Sequence, residues 1–92
     1  MKRISFIFKG RVQGVSYRWI VINKARGLGL KGFVKNLANS SVRVVAKGDE
    51  DKIKQLLSFC RENPGHSRVD NVEVEEEETI SVPEYDDFKV EF

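Results

Sequence analysis

The spacing of hydrophobic residues along this chain switches repeatedly between two periods, and the order of the switches limits the folds open to it. Ile4, Phe6 and Phe8 alternate with Ser5 and Lys9, the period-two pattern of a strand with one buried face, running to about Arg11. After the turn-like stretch Gly10 to Ser16, Tyr17, Ile20, Val21, Ala25 and Leu28 recur at spacings of three and four, which predicts a helix with one apolar stripe. Ser16 stands where an N-cap belongs and Gly29 where a C-cap belongs. Leu30 to Leu37 and Val42 to Lys47 read as two strands joined by the polar connection Ala38-Asn39-Ser40-Ser41. Ile53, Leu56, Leu57 and Cys60 form a second helical stripe, opened by Asp49-Glu50-Asp51 and stopped by Asn63-Pro64-Gly65. Val72 and Val74 alternate with Glu73 and Glu75 in a fourth strand, and Phe88, Val90 and Phe92 suggest a short last one.

The order is strand, helix, strand, strand, helix, strand, with a strand-like tail. Alternating strands leave one face of the sheet wet, so the sheet should be antiparallel and covered by helices on one side only. This predicts an α+β fold, the ferredoxin-like two-layer sandwich βαββαβ, an antiparallel sheet with two helices on one face. The 92 residues, 40% of them hydrophobic, suffice for one core and one domain, residues 1–92. The longest apolar run, Trp19 to Ile22, is far shorter than the roughly 18–20 residues of a membrane span. The N-terminus meets the charge of Lys9 before an apolar core of signal-peptide length can form. A single cysteine, Cys60, cannot make an internal disulfide, and the expected compartment is a reducing cytoplasm.

Charge is divided unevenly. Eleven of the sixteen cations and none of the fourteen carboxylates precede Asp49, so the first 48 residues carry +11 and the remainder −9. A half-chain without carboxylates cannot supply an Asp or Glu general base or a hard-metal site. It points to an anionic ligand. The opposing possibility is that the two halves interleave and their charges cancel locally.

Several apparent motifs fail on context. Gly27-Leu28-Gly29-Leu30-Lys31-Gly32 matches G-x-G-x-x-G, but it closes a helix and enters a strand, the reverse of a dinucleotide site. Asn39-Ser40-Ser41 is a formal glycosylation sequon, read here as a turn. His66 stands alone in a Pro/Gly loop without metal-ligand partners. Glu75 to Glu78 reads as the charged end of an edge strand. Lys31-Gly32-Phe33-Val34-Lys35 faintly matches the aromatic strand of single-stranded RNA-binding modules, which share this fold. Lys35 stands where the next stacking ring should be, and a non-catalytic RNA-binding module is retained as the alternative function.

The segment Gly10-Arg11-Val12-Gln13-Gly14-Val15-Ser16, leading into Tyr17-Arg18, is different. Glycines let the backbone curl so that successive N–H groups converge, and the helix start adds its positive dipole end, which together cradle a tetrahedral anion. It lacks the Gly-Lys-Ser/Thr terminus of a nucleoside triphosphate loop, and its half-chain has no Asp for magnesium. Arg18 in the first helical turn opposes the dipole by about 0.3–1 kcal/mol, a placement that a bound dianion compensates.

Gly10 to Arg18 resembles the signature of the acylphosphatase family. Gly32-Phe33-Val34-Lys35-Asn36 and Ser41-Val42-Arg43-Val44 resemble its second motif. The similarity continues through Ala46-Lys47-Gly48, the second helix, Pro64-Gly65 and Arg68 to Val72, to the terminal Phe88-Lys89-Val90. The resemblance implies hydrolysis of the carboxyl–phosphate bond of small acyl phosphates to a carboxylate and inorganic phosphate, without metal or cofactor. By position it makes Arg18 the phosphoryl-binding cation, surrounds the phosphate with the loop amides of Gln13, Gly14, Val15, Ser16, Tyr17 and Arg18, and gives Asn36 the attacking water. That agrees with the chemistry of the residues, since phosphoryl transfer needs chiefly positioning and charge stabilisation. The expected partners are the acyl phosphate and the product phosphate. A monomer is expected, with neither membrane nor nucleic acid engaged. Acylphosphatase-like domains also begin carbamoyl-transferring maturation proteins, and a chain ending after one domain favours the free enzyme. Where family members commonly place glycine in the hairpin turn, this chain has Ser40, so a turn of another type or some strain is expected.

Overall fold

The computed structural model describes residues 1–13, 17–62, 68–80 and 88–91, the last three through their backbone. Its elements are β1 (Lys2–Arg11), α1 (Tyr17–Gly27), β2 (Lys31–Asn36), β3 (Val42–Gly48), α2 (Glu50–Arg61), β4 (Arg68–Thr79) and β5 (Phe88–Glu91). They build one sheet in the order β4-β1-β3-β2-β5. The first four strands are antiparallel neighbours, the ferredoxin-like arrangement that the pattern predicts. β5 departs from it, pairing with β2 in parallel, Gly32 opposite Phe88 and Val34 opposite Val90. The Phe88 side chain is fully buried in the core cluster with Val34 and with the α1 residues Val21, Ile22 and Ala25. The tail thus buries its ring where the helix layer extends past β2.

Alternation sorts the strand residues between two faces. Ile4, Phe6 and Phe8 of β1, Val34 of β2 and Val42, Val44 and Ala46 of β3 join Tyr17, Val21, Ile22 and Ala25 of α1 and Ile53, Leu56 and Cys60 of α2 in the core. On the open face the two charge halves interleave. Arg43 grips Glu75 through Nε and Nη2 at 2.9 and 3.0 Å, and Ser5 Oγ donates to the same carboxylate at 2.7 Å. Arg3 reaches Glu76 and Lys9 reaches Glu73, each at 3.0 Å. The acidic run therefore does more than charge an edge strand, for part of it neutralises the basic strands beside it. Phe33 is the one aromatic on that face among the described residues, since Phe6, Phe8 and Phe88 face the helices.

Local signals explain the ends of the elements. Gly29, at φ +72°, closes α1, with Leu30 N–H donating to Ala25 O and Gly29 N–H to Arg26 O, both at 3.0 Å. This is the paired bonding of a glycine-terminated helix. The Asp49 side chain accepts from the Asp51 N–H at 2.9 Å and caps α2. Gly32 is required by close approach, because a Cβ there would lie 1.9 Å from Val45 O. Helix termination and strand contact thus account for Gly29 and Gly32 of the G-x-G-x-x-G match. The proposed cap Ser16, the stop Asn63-Pro64-Gly65, His66 and Phe92 lie outside the described residues.

Candidate active site

β1 and β2 run in the same direction, each antiparallel to the β3 strand between them. The connection after β1 and the hairpin after β2 therefore emerge at the same end of the sheet. At that end Phe8, Val42 and Asn36 occupy one cross-strand row. Asn36 follows Val34 by two residues and so shares its helix-facing side. Asn36 Oδ1 is buried, and among the described residues it is the one buried side-chain polar atom without a hydrogen-bond partner. Such an acceptor is costly to leave unmade, by about 1–3 kcal/mol. An acceptor so placed is available to a hydrogen-bond donor that enters this end of the molecule.

The connection between β1 and α1 is pinned on both sides. Val12, 1% exposed, belongs to the core before it, and Tyr17, equally buried, belongs to the core after it. The Tyr17 ring packs edge-on against Phe8 at 6.1 Å, and its hydroxyl makes a long contact of 3.5 Å to Cys60 O. Burial, then the neighbouring Cys60, drive the Tyr17 phenol well above its ordinary pKa, and burial pushes the Cys60 thiol up to about 12. Neither serves as a base or nucleophile at neutral pH.

Arg18 follows Tyr17 in the first turn of α1 and is half-buried. It precedes the buried residues Val21, Ile22 and Ala25 by three, four and seven positions, so it shares their stripe and projects toward the sheet layer. The first turn of α1 contains no acidic residue, and its positive dipole end is not offset by a carboxylate of its own. Arg18, in the first turn of α1 beside the Tyr17 that packs on Phe8, and Asn36, the last residue of β2, thus come from different elements to the same end of the molecule.

Gln13 joins these two elements. Its Nε2 donates to Leu37 O at 3.0 Å and to Ser41 O at 2.9 Å, the two residues that close the hairpin after Asn36. In that hairpin Leu37 N–H donates to Ser41 O at 2.9 Å and Ser40 N–H to Leu37 O at 3.3 Å, while Ser40 takes φ +68°. This is a three-residue connection whose last residue is left-handed. Asn39 Oδ1 accepts from both the N–H and the hydroxyl of Ser41. The glycine substitution noted in the sequence therefore changes the residue and keeps the left-handed turn. The tether of Gln13 is the one feature of the site that the sequence reading missed, since spacing does not reveal which carbonyls a loop amide meets.

Of the loop residues, Gln13, Tyr17 and Arg18 are described, and Gly14, Val15 and Ser16 lie outside the described residues. Among the described residues no three of His, Cys, Asp and Glu cluster as metal ligands. No helix there is long and apolar enough to cross a membrane.

The acylphosphatase family profile matches residues 4–90. An acylphosphatase of Deinococcus radiodurans is 41% identical over 83 residues, covering 90% of this chain and 95% of its own length. One from Methylococcus capsulatus is 45% identical over 76 residues, 83% of each chain. The crystal structure of acylphosphatase from Bacillus subtilis superimposes with a TM-score of 0.91 over the whole of both chains at 28% identity. With the signature running from Gly10 to Arg18 and the second motif from Gly32 to Asn36 and on through Ser41 to Val44, the chain belongs to the acylphosphatase family.

Proposed function

We propose that this protein hydrolyses small acyl phosphates to a carboxylate and inorganic phosphate without a metal ion, with Arg18 and the main-chain N–H groups from Gln13 to Arg18 holding the phosphoryl group. A guanidinium binds two phosphoryl oxygens in a planar fork, and helix-start amides face the third. Asn36 Oδ1 accepts a hydrogen bond from water and aims its oxygen at phosphorus, opposite the carboxylate leaving group. The oxygen–phosphorus bond forms as the phosphorus–acyl oxygen bond breaks. One water proton stays on the new hydroxyl, the other passes to a phosphoryl oxygen, and the carboxylate leaves with its electron pair. A carboxylate is a good leaving group, so the reaction runs on positioning and charge stabilisation without a strong base.

The observation that carries this reading is the buried, unpartnered Oδ1 of Asn36 at the sheet end where Arg18 enters α1. A reducing cytoplasmic setting accompanies it, supported by the buried free thiol of Cys60. The test is incubation with acetyl phosphate, an aryl phosphomonoester and a nucleoside triphosphate, each with and without a chelator. Acetyl phosphate alone turns over, at the same rate in both conditions. Comparable turnover of the monoester, or loss of activity with chelator, would overturn the reading.

A further inference from the structure

We infer that Gln13 is a positioning residue, whose side-chain amide locks the loop before α1 to the hairpin after β2 and so holds Asn36 in register with bound phosphate. The inference rests on the roles proposed above for Arg18 and Asn36. Leu37 directly follows Asn36, and Ser41 directly precedes Val42, the cross-strand neighbour of Asn36. By holding both carbonyls, at 3.0 and 2.9 Å, one nitrogen grips the hairpin on each side of the strand end that carries the water. The grip has a fixed base, because the preceding residue, Val12, is buried in the core. Ala38, Asn39 and Ser40 at the tip are all exposed, so the tip is held by the hairpin's own hydrogen bonds together with this tether at its base.

The residue type fits the task. A primary amide offers two N–H donors from a single atom, at the end of a side chain long enough to leave the loop. Glutamate has the length but only acceptors, which would oppose the two carbonyls. Asparagine has the donors but is one methylene shorter. In-line attack demands near-contact geometry, and a displacement of about 1 Å costs on the order of 10²-fold in rate. A tether at the water's end of the site therefore acts on turnover more than on phosphate affinity.

A double-mutant cycle tests this with Gln13→Met, which keeps the length and removes the donors, Asn36→Ala, and the pair together. Acetyl phosphate hydrolysis and the inhibition constant of inorganic phosphate are measured per folded molecule. Gln13→Met is expected to lower kcat at least about tenfold and to leave the inhibition constant within about threefold. In the Asn36→Ala background the same change is expected to alter kcat by less than about threefold, because the group it positions is gone. Independent effects in the two backgrounds, or a Gln13→Met protein that is destabilised yet turns over normally, overturn the inference. A parallel loss of phosphate affinity also overturns it, by making the side chain a phosphate ligand. If Gln13→Met does not fold, Gln13→Glu enters the same cycle with the same expectations. A wild-type protein inactive on acetyl phosphate refutes the underlying reading, whereas an active wild type with an additive cycle refutes the positioning role alone.

Discussion

Nε2 of Gln13 lies 3.0 Å from the carbonyl oxygen of Leu37, so the end of β1 is bonded to the end of β2 across the strand that separates them. Two strand spacings, roughly 9–10 Å, lie between those backbones. Main-chain ladders bond each of them to β3 and leave their relative placement at the loop end to side chains. The two halves of the proposed active site are thus joined by a direct hydrogen bond as well as through the sheet.

Replacing Arg18 by Ala is expected to lower kcat/KM by at least about 10²-fold and to weaken phosphate binding, because one contact serves ground and transition states alike. Arg18→Lys should recover little, since an ammonium lacks the planar fork. Trp19, the single tryptophan, is 57% exposed and directly follows Arg18, so its fluorescence provides a titration signal. A Lys variant of near-normal activity would show that point charge suffices.

Asn36→Ala separates catalysis from stability. Oδ1 has no partner to lose, so urea unfolding should stay within about 1 kcal/mol of wild type, below the roughly 1–3 kcal/mol of breaking a satisfied buried bond. Turnover should fall by roughly 10² or more, with phosphate affinity within a few-fold. A destabilised variant of normal kcat would assign the water to another residue.

Ser40 holds φ +68°, a conformation that costs an L-residue about 1–2 kcal/mol, while glycine loses about 0.5–1 kcal/mol more than alanine through chain entropy. Ser40→Gly should therefore raise stability by about 0.5–1 kcal/mol. Urea midpoints at one pH decide it, and an unchanged or lower midpoint would contradict the strain.

Stability on the acid side should report Glu75. Hydrogen bonds from Arg43 and then Ser5 hold its carboxyl below the usual 4.5. With the folded value the lower one, its stabilisation is full above the unfolded pKa and is lost as pH falls through the folded one. Glu75→Gln should lower the urea midpoint at pH 7, by no more than about 1 kcal/mol for a solvent-screened pair. The gap from wild type should close as pH drops below 4.5. A gap that persists at pH 2 would assign the loss to packing.

The helix-facing side of the sheet was legible because Ile4, Phe6 and Phe8 alternate cleanly, and the parity of Val34 carries Asn36 onto the same side. β4 was less so. Its twelve residues include register shifts opposite Ser5/Phe6 and Lys9/Gly10, which break a period-two pattern, and its glutamates do not distinguish a paired face from a wet one. Phe88 and Val90 announced a strand but not its neighbour, because that depends on which edge the helix layer overhangs. Arg18 was conspicuous as a cation at a helix start. Gln13 was placed in the right loop, but its side-chain partners are 24 and 28 residues away, and the topology alone brings them near.

The β1–β4 ladder also sets a timetable for biosynthesis. Arg3 and Glu76 are 73 residues apart in the chain, so at about 5–20 residues per second the first strand waits on the order of 4–15 s for its outer neighbour to be made. β3 is synthesised sooner and covers the other edge of β1. In the interval the outer edge of β1 stays unpaired, although both helices precede β4 in the chain, and a sheet whose pairings span most of the chain folds slowly once released. Until the acidic strand arrives, that open edge of β1 is the place where the nascent sheet can pair with another chain.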